Sequence, residues 1–168
     1  MKRIIVLILL FIGLQAKDIV YFLPQDGKIA EKKIEYLFQT AHQKIDIAIY
    51  TFTNKKFYKA LKSAARRGVK IRIIADYEEN KNQLYHSVIP RLKKLRNIDV
   101  KLLKGLKNGR YRGIMHMKLF IVDDVIVGFG SANYTYSAFH KNYELLYIND
   151  DWTFTRKFEK IFNKLWTK

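Results

Sequence analysis

The sequence predicts an α/β layer fold in a single domain, and two observations carry that prediction. Short β-branched runs alternate with longer stretches of helical periodicity, the pattern of strands layered against helices. A chain of 168 residues with 49% hydrophobic content is also long enough to bury one core without cross-links. Residues 17–168 are expected to form that domain, behind a leader at residues 1–16.

The elements follow in order. Ile19 to Leu23 reads as a strand closed by Pro24, and Lys28 to His42 as a helix with Ile29, Ile34, Leu37, Phe38 and Ala41 on its apolar side. Ile45 to Phe52 is the next strand. Asn54 can cap a helix that runs through Arg67 and stops at Gly68, after which Val69 to Ala75 is a strand rich in Val and Ile. A further amphipathic helix is expected over Gln83 to Leu95, and Ile98 to Leu103 returns as a strand. Lys104 to Gly113 is a basic, glycine-bearing loop. Ile114 to Val122, a turn at Asp123 and Asp124, and a strand to Phe129 form a hairpin. Asn142 to Ile148 is the last strand, and Trp152 to Trp166 closes the fold as a helix.

The leader places Lys2 and Arg3 ahead of an unbroken apolar run from Ile4 to Leu14, followed by Gln15 and the small Ala16. That is an export pattern, either a signal peptide or an N-terminal membrane anchor. A helix of this run would reach only about 16 Å, well short of a hydrocarbon layer of roughly 30 Å. Export places the protein in the periplasm or at a membrane. Removing residues 1–16 takes away two basic residues and no acidic one, so the remainder keeps 30 basic against 15 acidic side chains, or +15. A basic excess of this size favours a polyanionic partner, nucleic acid or an anionic membrane surface. The absence of cysteine excludes a disulfide framework, a thiolate metal site and a cysteine nucleophile.

The chemistry concentrates in residues 116–133, HMKLFIVDDVIVGFGSAN, which bring an imidazole, an ammonium, a carboxylate, a hydroxyl and an amide onto and beside strands. On a strand, His116 and Lys118 share one face while Met117, Leu119 and Ile121 point into the core. Phosphoryl transfer mainly requires positioning and neutralisation of the nonbridging oxygens. Lys118, Ser131 and Asn133 can supply that without magnesium, and a histidine can be the nucleophile. Taken singly, each group has a plainer reading: His116 a hydrogen-bonded structural residue, Ser131 part of a turn, Asn133 a helix cap, Glu144 half of a surface ion pair.

The fixed spacing changes that balance. His116, one residue, Lys118, four residues, Asp123, six residues, then Gly130, Ser131, one residue, Asn133 resembles the HKD signature of the phospholipase D superfamily. IAIYTF at residues 47–52 and AARRGVKIRIIAD at residues 64–76 resemble the family's first-half strand and helix, and Asn142 and Glu144 its downstream acidic position. The resemblance implies a mixed β-sheet flanked by helices on both faces, a phosphodiesterase needing neither cofactor nor metal, and a two-step reaction through a phosphohistidine. It implies His116 as nucleophile, Lys118, Ser131 and Asn133 on the phosphate, Glu144 orienting His116, and Asp123 in a supporting ion pair or turn. Two motifs are needed, and this chain has one: His42 and Lys44 repeat the HxK spacing, but Ile49 stands where the aspartate belongs. The resemblance to the short nuclease branch of the superfamily therefore implies a homodimer joining two copies of His116.

The expected substrate is DNA, with single strands favoured. Lys104, Lys107, Arg110 and Arg112 would track its backbone, and an aromatic close to the motif, Tyr134 among them, would stack on a base. The α-helical series Lys55, Lys56, Lys59, Lys62, Arg66 and Arg67 reads first as a solvated face. Two alternatives remain: a lipid enzyme acting on cardiolipin through the same motif, and a DNA-binding or uptake protein that does not cut.

Overall fold

The computed structural model describes residues 18–81 and 86–168. The leader and the first residues of the helix expected at Gln83 lie outside the described residues. Nine strands are described: β1 Asp18–Leu23, β2 Lys44–Ile49, β3 Lys70–Asp76, β4 Ile98–Leu103, β5 Lys107–Asn108, β6 Tyr111–Arg112, β7 Lys118–Val122, β8 Ile126–Gly130 and β9 Glu144–Asn149. The helices are α1 Gly27–Thr40, α2 Lys55–Arg66, α3 Tyr77–Asn80, α4 Ile89–Leu92, α5 Tyr136–His140 and α6 Trp152–Trp166.

Seven strands form one mixed sheet in the order β1-β9-β8-β7-β2-β3-β4, parallel across β2, β3 and β4 and antiparallel elsewhere. The crossover from β2 to β3 is α2. Its buried residues Phe57, Ala60, Leu61, Ala64 and Ala65 recur at three- and four-residue steps, so one stripe faces the sheet. Asn54 caps it, accepting from the backbone N–H of Lys56 and Phe57, and Gly68 follows it at φ 96°.

Helices cover both faces. On one, α1, α2 and α5 close over a core in which the Phe38 ring meets Phe57 at 5.9 Å and Phe120 at 5.6 Å. On the other, α6 lays Phe154, Phe158, Phe162 and Trp166 against Ala48, Ile74, Leu119, Ile121 and Val127. Each fully buried Phe in these layers is worth about 1.5–3 kcal/mol of transfer free energy. Strand β7 is consequently covered on both sides, Phe120 and Val122 by one core and Leu119 and Ile121 by the other. Gly128 faces Phe120 across the β7–β8 ladder, and a Cβ there would fall 2.1 Å from the ring.

Arg72 ties α6 to the sheet. Arg72 forks onto the buried Asp46 at 2.7 and 2.6 Å, donates to Asn163 Oδ1 at 2.9 Å, and lies 5.0 Å from the centre of the Phe162 ring. On the other face the buried carboxylate of Glu31 accepts from Asn54 Nδ2 at 2.8 Å and from Lys56 Nζ at 2.5 Å, with His140 Nε2 at 3.4 Å. Burial alone would raise this carboxyl, but the hydrogen bonds from Lys56 and Asn54 outweigh it and hold it below the usual range.

Several elements depart from expectation for physical reasons. Ile29, assigned to the buried side of α1, is exposed, whereas Glu31 is buried because its partners satisfy it. The helix expected through Leu95 is one turn, α4, with Pro90 in its first turn, where the missing N–H costs nothing. The basic loop at 104–113 carries a ribbon, β5 with β6, turned at Gly109 with φ 59°.

Candidate active site

All the motif residues except Asp123 meet at one end of the sheet, beyond the carboxyl ends of β2 and β3, where open α/β sheets bind ligands. Strand β7 begins there at Lys118, opposite Ile49 of β2, and β8 ends there at Gly130. Strand β9 starts there at Glu144. The close approach of β8 and β9 explains the motif glycine: a Cβ on Gly130 would lie 2.0 Å from the Leu145 carbonyl oxygen.

His116 does not share a strand face with Lys118, as the alternation rule suggested, because β7 starts only at Lys118. The chain before it is held differently: the Met115 N–H donates to Asp76 Oδ2 at 2.9 Å, at the end of β3. This tether leaves His116 exposed, with its ring edge-on to Tyr50 at 4.8 Å between centroids. Lys118 is buried, and its Nζ donates to the His116 carbonyl at 2.8 Å and lies 5.5 Å from the centre of the Tyr50 ring. Burial pushes this ammonium below the ordinary lysine range, against the opposing pull of Glu144. Nucleophile candidate and cation are thus joined through one peptide and braced on one aromatic ring.

Asn133 is oriented by its neighbour. Its Oδ1 accepts from the Thr51 N–H at 3.1 Å, which fixes the flip of the amide and leaves Nδ2 as an unused donor. Thr51 is itself held, its hydroxyl donating to Glu79 Oε1 at 3.0 Å and its carbonyl accepting from the Tyr134 N–H. The Glu144 carboxylate accepts from the Ser131 hydroxyl and, at 3.5 Å, from Asn142 Nδ2. Among the described residues no hydrogen bond joins Glu144 to His116; its partner is Ser131.

Asp123 lies at the other end of β7, five strand residues from Lys118, and does not meet the reacting groups. Asp123 and Asp124 both have positive φ, 51° and 60°, in the hairpin turn of residues 123–125, a conformation that Asp tolerates better than most residues. The Asp123 carboxylate accepts from the N–H groups of His42, Gln43 and Lys44 at 2.8, 2.8 and 2.9 Å. Its part is to bind the β7–β8 turn to the start of β2.

Of the expected substrate contacts, Tyr134 is misplaced. Its ring is buried among Phe52, Phe57 and Phe38, with its hydroxyl unbonded, and burial pushes the phenol far up. An exposed aromatic on the ribbon is Tyr111, at 84%, beside Lys107, Arg110 and Arg112, and Tyr136 and Tyr143 near the motif are exposed too. Lys104 sits 4.1 Å from the centre of the Tyr77 ring, and Arg112 donates to the Gly105 carbonyl at 3.3 Å. Between the ribbon and the motif runs a cleft of about 270 Å³, lined by Leu103, Leu106, Ile114, Met117 and His116.

Sequence reasoning passed over Tyr50 and Asp76, which brace His116 and its backbone. Tyr50 was within the quoted IAIYTF stretch, but its role depends on β2 pairing with β7, a contact between residues far apart in the chain. Burial, then Glu79 and Asp76, push the Tyr50 phenol upward, so it stays neutral beside the imidazole. Among the described residues no group of three or more His, Asp and Glu side chains converges as a metal site would need.

Comparison with known proteins agrees with this geometry. Residues 34–166 match the family described as cardiolipin synthase, PLD-like domain. The structure of NucT from Helicobacter pylori superposes with a TM-score of 0.87 at 41% identity, covering 91% of this chain and 97% of that one. Nuc from Salmonella typhimurium, a phospholipase D family member, superposes with a TM-score of 0.74 at 25% identity, covering 91% and 95%. The mitochondrial cardiolipin hydrolase of Xenopus laevis is 29% identical over 126 residues, and this chain spans 56% of its length. A single HKD motif at the carboxyl ends of a mixed sheet, matched along nearly its whole length by two compact members, makes this chain a member of the PLD-like domain family.

Proposed function

We propose that the protein is a metal-independent nuclease that hydrolyses phosphodiester bonds in DNA, single strands being favoured, through a phosphohistidine. The carrying observation is the exposed His116 imidazole bound through its own peptide to the buried Lys118 ammonium, with the unused Asn133 amide at the same sheet end. An imidazole nitrogen of His116 attacks phosphorus, and the bond to the leaving oxygen breaks as that oxygen takes a proton from His116 of the partner subunit. Water then attacks the phosphohistidine, gives its proton to the second imidazole, and releases the phosphate end and His116. Lys118 and Asn133 neutralise and hold the nonbridging oxygens. Ser131, held by Glu144, adds a hydroxyl.

The second histidine comes from a homodimer. An exposed apolar strip of Phe22, Tyr143 and Leu145 lines a groove of about 480 Å³ beside Ser131 and Glu144, and supports a self-complementary contact there. The basic ribbon with Tyr111 supports nucleic acid as substrate, the cations on the backbone and the ring on a base. Export to the periplasm or a membrane rests on the apolar run at residues 4–14. Among the described residues no helix is long and apolar enough to cross a membrane.

A second reading, a cardiolipin phosphodiesterase, is favoured by the cardiolipin hydrolase and synthase relatives. The purified full chain, incubated in excess EDTA with labelled single-stranded DNA and with cardiolipin vesicles, beside His116→Ala, separates the two. Cutting of DNA by the wild type alone is expected. Release of lipid products without DNA cleavage would favour the second reading, and DNA binding with no turnover would leave a binding protein.

A further inference from the structure

We infer a second nucleic-acid contact surface at the end of the sheet opposite His116, where three chain segments converge. The last turn of α2 and its exit bring Lys62, Arg66 and Arg67; β3 begins at Lys70; and the entry to β4 brings Arg96 and Asn97. The α2 exit and the β4 entry line a groove of about 600 Å³, and a second of about 620 Å³ adjoins it at Asn97, lined by Lys70 with Lys44, Arg72 and one carboxylate, Asp99. Strand β3 runs from Lys70 to Asp76, so this surface lies roughly 20 Å from the catalytic end at about 3.3 Å per residue.

The cations here are uncommitted. Among the described residues none of Lys62, Arg66, Arg67, Lys70 and Arg96 is ion-paired with a carboxylate, whereas Lys44, Lys56 and Arg72 are. Arg67 is only held in place, donating to the Ala41 carbonyl at 3.1 Å and to the Ser63 hydroxyl at 3.3 Å. Five positive groups around a concave floor repel one another unless a polyanion joins them, and a phosphate backbone does so with release of its counterions.

Two polyanions fit such charge, and the layout favours a strand over a membrane. The same sheet end also presents Asp18 at the start of β1, Asp124 in the β7–β8 turn and Asp151 beyond β9. A flat anionic bilayer laid on this end would press against those carboxylates. A flexible strand can follow the cationic corner alone. The surface rests on the nuclease reading for its purpose: it retains long DNA while the catalytic end cuts, and a substrate too short to reach both ends gains nothing from it.

The test is a fourfold variant, Lys62→Gln, Arg66→Gln, Lys70→Gln and Arg96→Gln. Binding of a 40-residue single strand is measured in EDTA on the His116→Ala background, and cleavage of 40-residue and three-residue strands on the active chain. Expected are at least tenfold weaker binding of the long strand, a salt dependence of log affinity shallower by about 2 to 3, and cleavage of the short strand within twofold of wild type. A charge-retaining variant, Arg66→Lys with Arg96→Lys, should bind the long strand like wild type. Unchanged long-strand affinity would overturn the inference, as would equal losses on both strands or lost binding to phosphatidylglycerol vesicles with DNA binding intact. Were the wild type to cut no DNA yet bind the long strand through these four residues, the nuclease reading would fall and the surface would stand.

Discussion

The two ends of β7 are built in opposite ways. At its turn end, the Asp123 carboxylate is saturated by three backbone N–H groups, and Lys44 lies 2.6 Å from Asp124 and 2.9 Å from Glu159. At its other end, among the described residues, Lys118 is buried with only a carbonyl to bond, Asn133 keeps an unused amide, and His116 sets its ring edge-on to Tyr50. The HKD spacing joins both ends, so one motif records two kinds of constraint. Its saturated end keeps the sheet together, and its unsaturated end leaves donors open.

Substitutions at four positions can break or sharpen that contrast. His116→Ala should remove phosphodiester cleavage by about 10⁴-fold or more while leaving thermal stability within a degree or two, since the side chain is exposed. Asp123→Ala should do the reverse. It orphans three backbone donors and should cost about 2–3 kcal/mol in urea denaturation, with activity per folded molecule unchanged. A large activity loss in folded Asp123→Ala would end the division of labour.

Tyr50→Ala removes the ring that braces both His116 and Lys118, and should lower kcat roughly tenfold; Tyr50→Phe, which keeps the ring, should stay within threefold. Equal losses in the two variants would show that the hydroxyl matters rather than the brace. The smallest effect concerns Glu31. Its folded carboxyl is held below its ordinary range, so it contributes stability above the unfolded value of about 4.3 and loses it as pH falls toward the folded one. Glu31→Gln should flatten the acid limb of stability measured by thermal melts from pH 6 to 3.

Much of this was legible in the sequence because it is local. The apolar stripe of α2, its Asn54 cap and Gly68 stop, and the Asp123–Asp124 turn each lie within a few residues of the signal that announces them. So does the motif spacing that identified the chemistry. The less legible parts depend on distant pairings. Tyr134 reads as an exposed aromatic beside the motif, but the bridge between Phe52 and Tyr134 draws it into the core. Glu31 is buried in α1 only because Asn54, Lys56 and His140 are brought to it from other elements. His116 reads as a strand residue until Asp76 is seen to hold Met115.

The edge strand β1 has a consequence of its own. Asp18 pairs with Asn149 and Leu23 with Glu144, so β1 rises from the remote end of the sheet toward the catalytic one. Asp18, where β1 begins, therefore lies on the far side of the molecule, about 17 Å of strand away from Glu144 at 3.3 Å per residue. A tether fastened at Asp18 would leave the end that holds His116 and Lys118 pointing away from its support.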